Sequence, residues 1–76
     1  MRNLLFELGD TIRRRREVLG LVQSRLAALS GVSVRTIQLL EQGKGNPSLD
    51  TLTKLADPIG LRLELSLKDF SKNSNV

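Results

Sequence analysis

The segment from residue 23 to residue 43, QSRLAALSGVSVRTIQLLEQG, constrains the fold of this chain more than any other stretch. It predicts two short helices joined by a tight turn at Gly31, where a positive φ costs little only for glycine. Five apolar residues have the spacing that packs the two helices together at nearly a right angle: Leu26, Ala27, Val32, Ile37 and Leu40. This pattern is typical of a helix-turn-helix.

The second helix of this motif turns a mixed face outward, formed by Val34, Arg35, Gln38 and Leu39. In a helix-turn-helix the first helix crosses the DNA backbone and the second enters the major groove. The four residues are therefore candidates for reading bases. Arg35 is the strongest, because arginine bound through two hydrogen bonds to guanine is the commonest specific contact, although it could instead hold a phosphate.

The other three candidates each have two interpretations. Val34 could touch a thymine methyl group or merely fill the turn. Gln38 could read adenine or hold a backbone oxygen. Leu39 could pack on thymine methyl groups or against the preceding helix.

A second set of polar residues is suited to phosphate contacts, which position a protein on DNA without specifying sequence. Gln23 begins the first helix of the motif, where free backbone N–H groups and the helix dipole favour an anion. Arg13 and Arg14 are the more exposed members of a run of four arginines at residues 13–16. The predicted phosphate-binding residues are Gln23, Ser33, Thr36, Lys44, Arg13 and Arg14.

Composition restricts the function further. The chain has 76 residues, which is enough for one domain, and its net charge of +4 favours an anionic partner. It has no histidine and no cysteine, and neither a glycine-rich phosphate loop nor metal-ligand spacing is present, so we expect no enzyme, metal or cofactor. With no apolar run of about 20 residues and no signal-peptide layout, we expect a cytoplasmic protein without a membrane partner.

Further helices flank the motif. Leu5, Leu8, Ile12, Arg16 and Leu19 share one face of a helix predicted over residues 4–19 and ended by Gly20. Arg16 lies on an otherwise apolar stripe, so it needs a partner, and Glu41 is the candidate for a structural ion pair. A fourth helix begins after Ser48 and directs four residues to the core, Leu49, Leu52, Leu55 and Ala56; Pro58 ends or kinks it.

The pattern then changes to period two. Leu61, Leu63, Leu65 and Leu67 alternate with polar residues, which predicts a strand with one buried face rather than a fifth helix. Because no second strand is evident, its natural partner is the same segment of another copy, in an antiparallel pair across a two-fold axis. The predicted fold is therefore all-α, a compact four-helix DNA-binding domain plus one C-terminal β-strand pairing across a homodimer. Its parts are residues 1–60, the strand at residues 61–68, and a flexible tail at residues 69–76 with Phe70 as an anchor.

Residues 16–43, REVLGLVQSRLAALSGVSVRTIQLLEQG, resemble the lambda-repressor/Cro-type (Xre-like) helix-turn-helix proteins of bacteria and phages. The resemblance covers about residues 8–60 and includes Leu19-Gly20-Leu21, Gln23, Leu26-Ala27, Gly31-Val32-Ser33, Thr36-Ile37, Glu41 and Gly43. It implies a DNA-binding regulator, most often a dimeric repressor on an inverted-repeat operator. Two positions depart from the family pattern: Val22 replaces a capping residue, and Pro58 lies where helix 4 usually continues.

A strand after helix 4, in place of the usual fifth helix, is similar to the HipB-like antitoxins of toxin–antitoxin operons. Those proteins dimerise through an intersubunit sheet, bind a HipA-like kinase toxin and repress their own operon. This second resemblance implies a toxin as protein partner. The alternative is a stand-alone or phage-type dimeric repressor that has no toxin partner.

Overall fold

The computed structural model describes residues 3–67, which form four α-helices and a short 3₁₀ helix. The helices are α1 (Leu4–Val18), α2 (Gln23–Ser30), α3 (Val34–Glu41) and α4 (Leu49–Ala56), and the 3₁₀ helix is Asp57–Ile59. The four predicted helices are confirmed, with ends that differ by one residue or so. None of the helices in residues 3–67 is long and apolar enough to cross a membrane. Phe70 and the predicted tail lie outside the described residues.

The helix ends follow from local chemistry. The Ser33 hydroxyl accepts a hydrogen bond from the Thr36 backbone N–H at 3.1 Å, and Ser48 caps α4 in the same way. Gly31 ends α2 with φ +77°, in the left-handed region that glycine occupies without strain. Val22 precedes α2 and provides no side-chain cap, because a valine side chain has no atom that accepts a hydrogen bond.

One apolar core joins the helices. Its most deeply buried side chains are Leu26, Ile37, Leu40, Leu55 and Ile59. Leu52 and Ala56 are also buried, as predicted, but the prediction for Leu49 is wrong, because its side chain is 76% exposed. Leu49 lies on the same helical stripe as Leu52, yet it is the first residue of α4. Spacing identifies the face of a helix but not how far the neighbouring helices extend along it.

Pro58 ends α4 rather than kinking it. The α-helix ends at Ala56, and the 3₁₀ helix follows it without a break; Ile59 of the 3₁₀ helix is buried in the core. Arg15 of α1 holds this turn in place, since its Nε donates to the Ile59 carbonyl oxygen at 2.7 Å. Arg15 belongs to the arginine run, but no local pattern indicates this bond, because it joins residues 44 positions apart.

Residues 61–67 form neither the predicted strand nor the alternative fifth helix within the described chain. A strand is defined by hydrogen bonds to a neighbouring strand, and a segment without such a neighbour cannot have them. Leu61 packs against the core. Leu65 and Leu67 are fully or almost fully exposed, so the single chain does not bury the leucine face that the alternating pattern predicted.

Helices α1 and α3 are in close contact at Gly9. This glycine is buried, and a Cβ placed on it would overlap the Leu40 carbonyl oxygen and lie 2.8 Å from the Leu40 carbonyl carbon. Backbone therefore packs directly on backbone at this crossing, which only glycine permits. The contact fixes the depth at which α3 is seated against α1.

Arg16 and Glu41 form the predicted ion pair. Arg16 Nε donates to Glu41 Oε2 and a terminal guanidinium nitrogen donates to Glu41 Oε1, each at 2.8 Å. The other terminal nitrogen donates to the Leu21 carbonyl oxygen at 2.7 Å. Their side chains are only 11% and 5% exposed. The hydrogen bonds to Glu41 raise the pKa of Arg16, so the guanidinium remains charged wherever the protein is folded.

Replacing Gly9 by alanine tests the α1–α3 contact. Helix propensity alone would make the protein more stable by about 1 kcal/mol. We expect instead a loss of at least about 2 kcal/mol, because the added methyl group overlaps rigid backbone. Urea unfolding measures the difference, and Thr11→Ala, at an exposed position of the same helix, should stay within about 0.5 kcal/mol of the parent. A Gly9→Ala protein more stable than the parent would contradict the close contact.

A double-mutant cycle tests the ion pair. Arg16→Ala or Glu41→Ala alone should cost about 3 kcal/mol in the free energy of unfolding, because each leaves a buried charge unpaired. The double variant should cost less than the sum by at least about 1 kcal/mol. The control is the same cycle on Asp50 and Lys54, an exposed pair with an N–O distance of 3.1 Å, where we expect about 0.5 kcal/mol or less. Additivity at Arg16 and Glu41 would refute the coupling.

Candidate nucleic-acid interface

Helix α3 has one buried side and one open side. Ile37 and Leu40 are almost completely buried in the core. The residues predicted to read bases lie on the other side, where Arg35 is exposed and Val34, Gln38 and Leu39 are half-buried. The four predicted side chains thus lie together on the accessible side of α3, as the helical period predicts.

Leu39 lies beside the loop that follows α3. A Cβ placed on Gly45 would lie 3.7 Å from the Leu39 Cβ, and the Lys44 backbone N–H donates to the Leu39 carbonyl oxygen at 2.8 Å. Leu39 and Thr36 line an open cleft of about 280 Å³ together with residues 44–48 of this loop. The fold thus brings Lys44 next to α3, so that the lysine and the exposed side of the helix can contact the same partner.

Gln23, at the first position of α2, is partly committed within the protein. Its side-chain amide donates to Glu41 Oε1 at 3.0 Å, so it extends the Arg16–Glu41 pair to the start of α2. A primary amide carries two N–H donors, and one remains for a phosphate. The bond to Glu41 was not predicted, because it joins residues that are 18 positions apart.

Ser33 and Thr36 interact with each other at the start of α3. Besides capping the helix, the Ser33 hydroxyl donates to Thr36 Oγ1 at 2.9 Å. Both oxygens of this pair are at the exposed N-terminal end of α3, but the Ser33 hydroxyl proton is already used. The Thr36 hydroxyl proton is the one still available to an outside acceptor.

The predicted phosphate contacts on α1 have carboxylate partners in the same helix. Arg13 bonds Asp10 at 2.6 Å and Glu17 at 3.0 Å, and Arg14 lies 2.9 Å from Asp10. The hydrogen bond to Asp10 raises the pKa of Arg13. Their positive charge is therefore partly balanced within α1, and of the two, Arg14 is the more exposed.

The cations of the helix-turn-helix have no such balance. Arg25, Arg35 and Lys44 have no carboxylate of residues 3–67 within ion-pair distance. Glu41 is the only acidic residue from position 18 to position 48, and its carboxylate is buried against Arg16. The exposed charge of this region is therefore entirely positive. Arg25 was not among the predicted residues, although the scarcity of acidic residues around it was legible in the sequence.

The arrangement offers no metal-ion chemistry in the part of the chain described. Within residues 3–67, no group of three or more histidine, cysteine, aspartate or glutamate side chains is placed to hold a metal ion. What the surface offers is hydrogen-bond donors, positive charge and apolar contact area on one short helix and its neighbouring loop.

Comparison with known proteins agrees with this geometry. The family model described as "Helix-turn-helix" matches residues 12–66. An uncharacterized HTH-type transcriptional regulator of Haemophilus influenzae is 40% identical over 63 residues, which is 83% of this chain and 64% of that protein. A second, from Sinorhizobium fredii, is 38% identical over 54 residues, which is 71% of this chain and 70% of that protein. The chain thus spans about two thirds of the length of each relative. By its matching residues and its helical arrangement, it belongs to the helix-turn-helix family of the lambda-repressor (Xre) type.

Proposed function

We propose that this protein is a sequence-specific transcriptional repressor that binds double-stranded DNA as a homodimer in the bacterial cytoplasm. The observation that carries the proposal is the combination of an accessible α3 face with exposed charge that is only positive. Duplex DNA is an anionic partner whose major groove admits one α-helix. The relatives, which are named as transcriptional regulators, support the same function.

In this proposal, α3 lies in the major groove with four residues toward the bases. Arg35 makes no ion pair with a carboxylate of residues 3–67, which leaves its guanidinium for a bidentate bond to guanine O6 and N7. Gln38 offers an amide for adenine or a backbone oxygen. Val34 and Leu39 offer apolar contact to thymine methyl groups, and the position of Leu39 beside the loop favours this role over packing on α2.

Phosphate contacts surround this helix. Lys44 lies next to α3 in the cleft, and no carboxylate in the described part of the chain, residues 3–67, is within ion-pair distance of it. Gln23 would bind a phosphate with its second amide proton and with the N-terminus of α2. Thr36 would donate its hydroxyl proton, with Ser33 holding the end of α3 in place, and Arg14 and Arg13 would reach the backbone from α1 less strongly, because Asp10 competes for them.

A homodimer would place two copies of α3 in successive major grooves, roughly 34 Å apart, on an inverted-repeat operator. Such a dimer would repress transcription by occupying the site that polymerase needs. The row of Leu61, Leu63, Leu65 and Leu67 supports dimerisation, since most of this apolar surface is uncovered in the single chain.

Arg35→Ala tests base reading. A randomised duplex library gives the base preferences of the parent and the variant. We expect the variant to lose its preference at one position of each half-site and to lose about 1–3 kcal/mol in affinity for the parent's best sequence. If the variant binds every sequence more weakly by the same factor, Arg35 holds a phosphate and its assignment to a base is wrong.

Lys44→Ala tests phosphate contact, with Lys54→Ala as the matched control. Both lysines are exposed, but Lys54 bonds Asp50 on α4. We expect Lys44→Ala to weaken binding uniformly across sequences and to reduce the slope of log affinity against log salt by about one for each half-site. Lys54→Ala should leave the slope unchanged, and equal effects of the two substitutions would contradict the proposed orientation.

A second role follows from the resemblance to HipB-like antitoxins. We propose that the protein also neutralises a HipA-like kinase toxin and represses its own operon. The exposed leucines support a protein partner, but the same leucines serve a stand-alone dimeric repressor equally well. The two possibilities therefore differ in protein partners and not in DNA binding.

Affinity capture of the tagged protein from its native lysate, after nuclease treatment, separates these possibilities. One stoichiometric kinase-like protein would support the antitoxin role, and catalytically inactive toxin added to the purified protein should then reproduce the complex. Recovery of this chain alone, with operator binding intact, would leave a self-sufficient repressor.

A further inference from the structure

Residues 61–67 combine a row of leucines with one pair of opposite charges. Leu61 packs against the core, Leu63 is 40% exposed, and Leu65 and Leu67 are open to solvent. Arg62 Nε lies 3.1 Å from Glu64 Oε1. These two side chains are 85% and 60% exposed, so their mutual contact contributes little to stability and is easily exchanged for another.

We propose that residues 61–67 of two copies pair antiparallel in one register, centred on Leu63, in which Arg62 of each copy faces the partner's Glu64. This inference rests on the homodimer of the proposed function and names the residues that make the chain select a second copy of itself. The two ion pairs are equivalent by the two-fold axis. The leucines form the apolar face of the same ribbon.

The alternating pattern limits the possible registers. Side chains directly opposite each other in an antiparallel pair point to the same face. A two-fold axis that passes between two residues would place each leucine opposite a polar residue, so both faces would be mixed. An axis that passes through a residue keeps leucine opposite leucine, and shifting it by one residue still preserves this match.

Charge distinguishes the registers that remain. An axis through Arg62 or through Glu64 sets that residue opposite its own copy, so like charges meet. An axis through Leu65 gives neither charged residue a partner of opposite sign. An axis through Leu63 sets Arg62 of each copy opposite the partner's Glu64, so the dimer has two pairs of opposite charge. The same axis sets Leu61 opposite the partner's Leu65. Axes further toward either end pair fewer leucines.

The surface next to Leu61 supports the same register. Leu61, Arg62 and Leu63 line a small groove of about 110 Å³, and its other walls are mostly apolar residues of α1 and α4: Leu8, Thr11, Ile12, Leu52 and Ala56. In the register centred on Leu63, the partner's Leu65 lies opposite Leu61 and therefore at this groove. The most exposed leucine of each copy would then be covered by the core of the other.

Disulfide trapping measures the register directly, because the chain has no cysteine of its own. Leu63→Cys places two thiols opposite each other, about 5 Å apart between Cα atoms, within the range that a disulfide bridges. In Glu64→Cys and Leu65→Cys the equivalent atoms are offset by about 7 Å or more along the strands. In a glutathione redox buffer we expect Leu63→Cys to form the linked dimer at least about tenfold faster than either of the other two.

Charge reversal tests the ion pairs by a separate measurement. Sedimentation equilibrium gives the dimer dissociation constant, which we expect Arg62→Glu or Glu64→Arg to raise by roughly tenfold at low salt, because two attractions become two repulsions. The double variant Arg62→Glu/Glu64→Arg should return close to the parent value. Mixing the two single variants should give heterodimers in preference to either homodimer, and 1 M salt should reduce all these differences.

The outcomes separate this inference from the function on which it rests. If the parent is a dimer but Glu64→Cys or Leu65→Cys is linked fastest, or if the double variant is no better than the single ones, the register is wrong and the dimeric repressor stands. If the parent sediments as a monomer at all concentrations, both the homodimer and this inference are overturned, while DNA binding by one α3 is still measurable.

Discussion

The ion pair between Arg16 and Glu41 is the interaction on which the relative placement of α1, α2 and α3 depends. Arg16 on α1 bonds Glu41 at the end of α3 and the Leu21 carbonyl oxygen in the loop before α2, and Gln23 of α2 bonds Glu41 as well. Three helices thus converge on one buried carboxylate. Within residues 3–67, no buried side-chain nitrogen or oxygen atom of this cluster lacks a hydrogen-bond partner, so the low dielectric of the interior strengthens the bonds instead of penalising unpaired charge.

A second contact sets the distance between α1 and α3, which the ion pair alone does not determine. At Gly9 the backbones of α1 and α3 touch at Leu40, and the side chains of Ile37 and Leu40 fill the core beside it. Long, paired side chains fix orientation, whereas a glycine contact fixes separation. Together they hold a helix of only eight residues with its opposite side open to solvent, which is the geometry that entry into a groove requires.

The charges of this small domain are divided between structure and surface. Arg13 and Arg14 on α1 and Lys54 on α4 bond carboxylates on the same helix, and their interactions outside the protein are weakened accordingly. Arg25, Arg35 and Lys44 have no carboxylate partner among the described residues, and Glu41, the one acid near them in the sequence, is buried in an ion pair. The net charge of the chain is modest, so this distribution, more than the total, supports an anionic partner.

The sequence by itself determined the four helices, the start of α4 after Ser48, the turn at Gly31 and the pairing of Arg16 with Glu41. These features depend on local spacing or on the cost of leaving one charge unpaired in an apolar stripe. Only the tertiary structure decided that Leu49 is exposed, that Gly9 is a backbone contact and that Arg15 holds the 3₁₀ turn, because each depends on where another element lies in space. The alternating leucines of residues 61–67 specify an apolar face, but they form no strand in a single chain. The backbone hydrogen bonds of a strand need a neighbouring strand, which the sequence can imply but one copy of this segment cannot supply.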